Sequence, residues 1–193
     1  ILACKNSLRR LNVTYLDLYL THRYNPSSIS YKETMKAMGL LVDEGLVKHI
    51  GFCNYTISEI QEAQSYSRHK LVACQMHYNL QIREVERKKI LRFCQQNDIM
   101  LIAWRPVQKG ILTNNPTRIM QEMMKKYNKT AAQIALSWLI SQENVVTLSK
   151  TRSADHLKEN LGALGWSMEK KDVEKLRNEY PDQQDVSDSV PLS

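Results

Sequence analysis

The sequence has no long apolar run, little glycine and no clustered cysteine, and each shortage removes a class of protein. No stretch of about eighteen apolar residues occurs, so a membrane-spanning helix is not expected. The amino terminus, Ile1-Leu2-Ala3-Cys4-Lys5 followed by Asn6 and Ser7, turns polar too soon for the apolar centre of a signal peptide. It also lacks an initiator methionine, and the expectation is a processed or truncated start. The four cysteines are Cys4, Cys53, Cys74 and Cys94. None forms a Cys-x-x-Cys pair or a zinc-type cluster, so no metal is expected, and three lie in apolar or strand-like stretches. That pattern reads as reduced, buried thiols of a cytoplasmic protein. There are only six glycines, and no Gly-x-Gly-x-x-Gly turn follows any apolar run. The dinucleotide fingerprint of a Rossmann sheet is therefore absent.

What is present is ordinary for one folded domain: 193 residues, 42% hydrophobic and 24% charged. The net charge of +7 comes from 27 basic against 20 acidic residues. The basic residues are dispersed, and no zinc-finger spacing or RNA-recognition motif accompanies them, so a nucleic-acid partner is not expected. Attraction of a phosphorylated small molecule suits the charge; a solvated basic surface is the plainer reading.

Short apolar runs alternate with helical periodicity. Strands are predicted at Tyr15–Leu20, His49–Cys53, Leu71–Met76, Ile99–Trp104 and Val145–Leu148. Between the first two, Tyr31, Met35, Met38, Leu41 and Val42 recur every three or four residues, giving a helix from Ser30 to Glu44 that Gly45 ends. Ser58 with Gln61, and Thr130 with Gln133, have capping-box spacing. Further helices are expected over Val85–Gln96, Thr117–Lys126, Thr130–Ser141, Ser153–Ala163 and Glu169–Glu179. Residues 1–181 thus read as one strand–helix array, and 182–193 as a polar, loosely ordered tail.

Five βα units imply a parallel sheet with right-handed crossovers. The fold class is α/β, an incomplete (β/α)8 TIM barrel of about five units plus a terminal helix. A complete barrel needs eight units and about 250 residues. An open five-strand arc leaves two unpaired edges and an uncovered apolar interior. The physical expectation is that three units are missing or come from elsewhere.

In such barrels chemistry sits at the carboxyl ends of the strands. Those ends read Thr21-His22, Cys53-Asn54, Gln75, Trp104-Arg105-Pro106 and Ser149-Lys150-Thr151. With Ser7–Leu11 before the first strand, the run Leu41–Asn54, the segment Ile102–Pro106 and the segment Lys150–Leu161, this order resembles the carboxy-terminal portion of the aldo-keto reductase family. The resemblance covers nearly the whole chain. It implies reduction of aldehydes or ketones with NADPH, using a tetrad of Asp, Tyr, Lys and His. His22 matches the tetrad His. The Asp, Tyr and Lys belong to units upstream of this sequence, so the chain alone is expected to be inactive.

The resemblance implies further roles. His22 orients the substrate carbonyl, although a lone histidine is commonly structural. Asn54 and Gln75 match the residues that hold the nicotinamide carboxamide, for which an amide offers both donor and acceptor; capping of strand-end loops is the alternative. Cys53 stands where the family usually has serine, and a thiol is a poorer hydrogen-bond partner. Trp104 replaces the tyrosine that stacks on nicotinamide; the alternative is a barrel-wall aromatic. Arg105 replaces a serine and has the reach for a pyrophosphate, or is a solvated surface charge. Lys150 and Thr151 match contacts to the 2′-phosphate, and Glu159 and Asn160 the adenine pocket. His156 stands where many members have arginine, which weakens NADP against NAD; Lys150 keeps NADP ahead, with NAD the other possibility. Ser153 caps the adjoining helix, whose positive end adds to the phosphate site. Arg23 and Tyr24 are candidates for the substrate mouth, and His77 reads as a loop residue. The partner implied is a small-molecule carbonyl substrate. A non-catalytic cofactor-sensing subunit on the same fold is the second reading, and an unrelated phosphate-binding barrel the third.

Overall fold

The computed structural model describes residues 1–22 and 30–192. Arg23 and Tyr24 lie outside the described residues. The elements run α1 (Leu2–Leu11), β1 (Leu16–Thr21), α2 (Tyr31–Asp43), β2 (Val47–Cys53), α3 (Ile57–Tyr66), β3 (Leu71–His77), α4 (Glu84–Arg87), α5 (Ile90–Gln96), β4 (Met100–Trp104), α6 (Ile111–Asn114), α7 (Arg118–Tyr127), α8 (Ala131–Ile140), β5 (Val145–Leu148), α9 (Ala154–Leu161) and α10 (Lys170–Glu179). Among the described residues the five strands form one sheet in the order β1-β2-β3-β4-β5, each neighbouring pair parallel. Strand order that follows chain order has no switch point, which separates a barrel arc from a doubly wound sheet. No helix of the described residues is long and apolar enough to cross a membrane.

The two faces of the arc differ as strand alternation requires. Ile50, Phe52, Cys74, Met76, Leu101, Ala103 and Val145 join the core with Met35, Leu41, Ile60, Ile90, Ile134 and Trp138 of the helices. The registered partners on the other face include Cys53, Gln75 and Ile102, and then His77, Trp104 and Leu148. That inner face is open, with Met100, Val146 and Leu148 exposed by 40%, 40% and 51%. All four cysteines are free and buried.

Local chemistry explains most boundaries. Ser30 caps α2 by accepting from the Glu33 N–H, and Thr130 with Gln133 completes the expected capping box of α8. The box of α3 lies two residues earlier than expected: Thr56 pairs with Glu59, displacing the Ser58–Gln61 alternative. Glu59 is the better partner, because its second oxygen accepts from Tyr31 Oη at 2.8 Å and ties α3 to α2. The helix expected over 85–96 breaks into α4 and α5 at Lys89, whose φ is 61°. Helices α1 and α6 were not anticipated.

The carboxy-terminal stretch is not the loose tail its polarity suggests. Gln184 bridges Ile82, Ser187 N–H and Leu192 N–H both donate to the buried Glu84 carboxylate at 2.9 Å, and Leu192 is buried. Glu84 satisfies two backbone donors that a free tail would leave to water.

Where α10 meets α7, buried Asp172 accepts from Lys126 Nζ at 2.6 Å and from Tyr127 Oη. Burial alone would raise this carboxyl, but the lysine and tyrosine hydrogen bonds outweigh it and hold it below its ordinary range. A depressed acid contributes stability that is present above its unfolded pKa of about 3.9 and lost as pH falls through the folded value. Asp172→Asn is therefore expected to cost about 1–2 kcal/mol at neutral pH and to flatten the loss of stability below about pH 4. Urea titrations at pH 7 and pH 3 check this; an unchanged difference between the two would contradict it.

Candidate functional site

Parallel strands place all their carboxyl ends at one end of the sheet, so residues following each strand converge whatever their separation in sequence. Asn54 leaves β2 with φ 58°, and Arg105 leaves β4 with φ 53°. Asparagine tolerates this left-handed conformation and arginine does not favour it, so the Trp104–Arg105 turn is held by its surroundings. Asn54 stays registered to β3 through its N–H, which donates to the Gln75 carbonyl at 3.0 Å. Trp104 Nε1 donates to Asn54 Oδ1 at 3.3 Å, and the Cys53 thiol donates to Gln75 Oε1 at 3.4 Å. Burial pushes the Cys53 thiol up to about 11, which keeps it a neutral donor. The thiol thus does contact a neighbour, although as a support for Gln75.

Those bonds consume the oxygen of each amide. Among the described residues, Asn54 Nδ2 and Gln75 Nε2 have no protein acceptor, and both side chains are half-buried beside the half-buried Trp104 ring. Two unspent amide donors beside an indole fit a planar group carrying a carbonyl.

His77 is not a loop residue. It is the last residue of β3, 3% exposed, and registered directly to Trp104. Its ring stacks on the indole at 4.1 Å between centroids and 14° between planes. The two-residue period that places Gln75 on the inner face places His77 there too, so the signal was in the alternation. Its partners had none: Ser187 Oγ lies 2.7 Å from His77 Nδ1 and Gln108 Oε1 lies 2.9 Å from Nε2. Arg105 does not stand free toward solvent; its guanidinium sits 5.0 Å from the Trp104 centroid and pairs with Asp188 at 3.4 Å.

The remaining candidates spread along the same end. His22 is exposed just beyond Thr21, whose hydroxyl donates to Tyr55 Oη at 3.1 Å. Lys150 is exposed after β5, and Thr151 Oγ1 accepts from the Ser153 N–H at 3.1 Å. Ser153 caps α9 as expected, accepting from the His156 N–H at 3.3 Å. His156 is exposed, while Glu159 and Asn160 are half-buried on α9, two and one residues before its last residue. Direct contacts join Cys53, Asn54, Gln75 and Trp104; His22 and the Lys150–Asn160 group flank them. A cavity of about 440 Å³ lined by Leu18, His49, Val72 and Met100 opens at the opposite, amino end of the strands, where barrel chemistry does not occur.

The model of the Aldo/keto reductase family matches residues 2–180, and the chain belongs to that family. It is 32% identical over 183 residues to the methylglyoxal reductase of Escherichia coli, across 93% of this chain and 63% of that protein. A thermostable aldo-keto reductase solved with the inhibitor epalrestat superposes with a TM-score of 0.86 at 36% identity, covering 90% of this chain and 63% of that one. An aldo-keto reductase from Klebsiella pneumoniae solved with NADPH superposes with a TM-score of 0.83 at 30% identity, covering 95% and 66%. The chain spans 55 to 63% of the length of the curated relatives it matches first.

Proposed function

We propose that this chain is the cofactor-binding portion of a cytoplasmic reductase that converts small aldehydes or ketones to alcohols with NADPH. The observation that carries the reading is the contact set at the carboxyl ends of β2, β3 and β4. Asn54 and Gln75 keep their amide donors unspent beside the Trp104 ring. Asn54 and Gln75 hold the nicotinamide carboxamide, Trp104 carries the ring, and the exposed His22 orients the substrate carbonyl. Lys150 and Thr151 take the 2′-phosphate, with His156 beside them, and Glu159 and Asn160 take the adenine. Arg105, drawn over Trp104 by Asp188, shapes the platform and keeps the pyrophosphate as its proposed ligand. A bound dihydronicotinamide supplies the hydride. The protein's part is orientation of the two reactants and a polarised carbonyl, where placement alone is worth several powers of ten in rate.

The proton donor of the family, a tyrosine tuned by Asp and Lys, is supplied by the units this chain does not contain. The isolated chain is accordingly expected to turn over no carbonyl, while the complete barrel reduces methylglyoxal with NADPH. In the complete barrel Trp104→Ala should weaken NADPH about tenfold, from loss of stacking and buried area. Cofactor titration followed by fluorescence, beside turnover at 340 nm, checks both. Normal turnover by the isolated chain would sink the division of labour. A complete barrel that binds NADPH without turnover would favour the non-catalytic sensor.

A further inference from the structure

The tail that packs across α4 passes beside the candidate site at Ser187 and Asp188, and its hydrogen bonds there form a directed chain. Asp188 Oδ2 accepts from Gln108 Nε2 at 3.0 Å, which fixes the orientation of that amide and turns Gln108 Oε1 toward His77. His77 Nε2 must then carry the proton, because Gln108 Oε1 can only accept. Asn79 Nδ2 donates to the same oxygen at 3.0 Å. On the other side, Ser187 Oγ accepts from the Ser189 and Val190 N–H groups at 3.2 and 3.0 Å. Its hydroxyl hydrogen is left to donate to His77 Nδ1. Every donor and acceptor of the imidazole is spent in one tautomer. Burial depresses the basicity of His77 and favours that neutral form; Asp188 opposes this, and Arg105 assists it.

We propose that the carboxy-terminal tail is part of the cofactor platform: Ser187 and Asp188 lock His77, and His77, stacked on Trp104, is a positioning residue that sets the plane of the indole. Asp188 adds a second hold through Arg105, whose guanidinium lies over the same ring. This rests on the reading of Trp104 as the nicotinamide platform. The consequence is local to one half of the cofactor. Loosening the tail should harm recognition of the nicotinamide end and leave the adenosine end alone, because among the described residues Lys150 and α9 make no hydrogen bond with residues 184–192.

The test uses the complete protein and two probes, NADP+ and adenosine 2′,5′-bisphosphate, which lacks the nicotinamide. Ser187→Ala, Asp188→Ala and His77→Ala are each expected to weaken NADP+ about five- to tenfold, the scale of a lost hydrogen bond or stacking contact. Adenosine 2′,5′-bisphosphate should bind all three within twofold of the parent. His77→Phe keeps a flat ring against Trp104 but cannot bond Ser187 or Gln108, so it should bind NADP+ no better than Ser187→Ala; full recovery would overturn the hydrogen-bond lock. Asp188 is 44% exposed at its side chain, so its variant remains informative if the buried His77→Ala fails to fold. Equal weakening of both probes, or no weakening of NADP+ by any variant, would overturn the positioning role while the cofactor reading stands. A parent protein that binds neither probe would overturn both.

Discussion

Gly51→Val is expected to leave little folded protein. A Cβ on Gly51 would lie 2.2 Å from the Ala73 carbonyl oxygen and 2.7 Å from Leu20 Cδ2. The first obstacle is backbone of the neighbouring strand, which cannot rotate aside as a side chain would. The register between β2 and β3 shifts between Ile50 and Gly51, so the strands approach most closely where the bulge requires no side chain. Overpacking a core costs about 1–3 kcal/mol when side chains can yield. With backbone as the obstacle, valine should cost at least about 3 kcal/mol of a total of roughly 5–15. Gly51→Ala meets the same oxygen and should lower the melting temperature by about 5–10 °C. The damage would reach the site as well, since Cys53 ends the same strand two residues later and Asn54 follows it. Thermal melts and soluble yield decide the matter; an alanine variant melting with the parent would contradict the geometry.

Gly51 also shows what one sequence conceals. Nothing in its neighbours marks it, because its obstacle lies 22 residues away. What local pattern carries was legible: the five strands, the helix starts at Ser30 and Thr117, and the Thr130 and Ser153 caps. The α3 start was displaced because two overlapping boxes, Thr56–Glu59 and Ser58–Gln61, satisfy the same local rule, and Tyr31 on another helix decides between them. The tail was misread for a related reason. Its polarity suggests solvent, yet Ser187 and Leu192 find Glu84 more than a hundred residues back. His77 lay between these cases: its face followed from alternation with Gln75, but its burial depends on Ser187 and Gln108, which local pattern does not reveal.

Lys150→Ala is expected to weaken NADPH about 10- to 30-fold in the complete protein and to leave NADH nearly unchanged. The two cofactors differ only by the 2′-phosphate, so the comparison isolates that group. Lys150 is exposed where β5 gives way to α9, and the capping Ser153 leaves the first N–H groups of an eight-residue helix facing the same region. A charge-assisted contact between ammonium and phosphate is worth about 1.5–2 kcal/mol, which sets the factor. Because Lys150 is solvated, the effect should shrink as salt rises from 0.05 to about 0.5 M, where the Debye length falls well below 10 Å. His156→Arg is the complementary change. A guanidinium can take two phosphate oxygens in a fork, which an imidazole cannot, and the variant should gain NADPH several-fold without gaining NADH. Together the two variants separate a phosphate site from a generally basic surface. If Lys150→Ala weakened both cofactors equally, the lysine would be acting through the fold, and the proposed 2′-phosphate contact at Lys150 would fall.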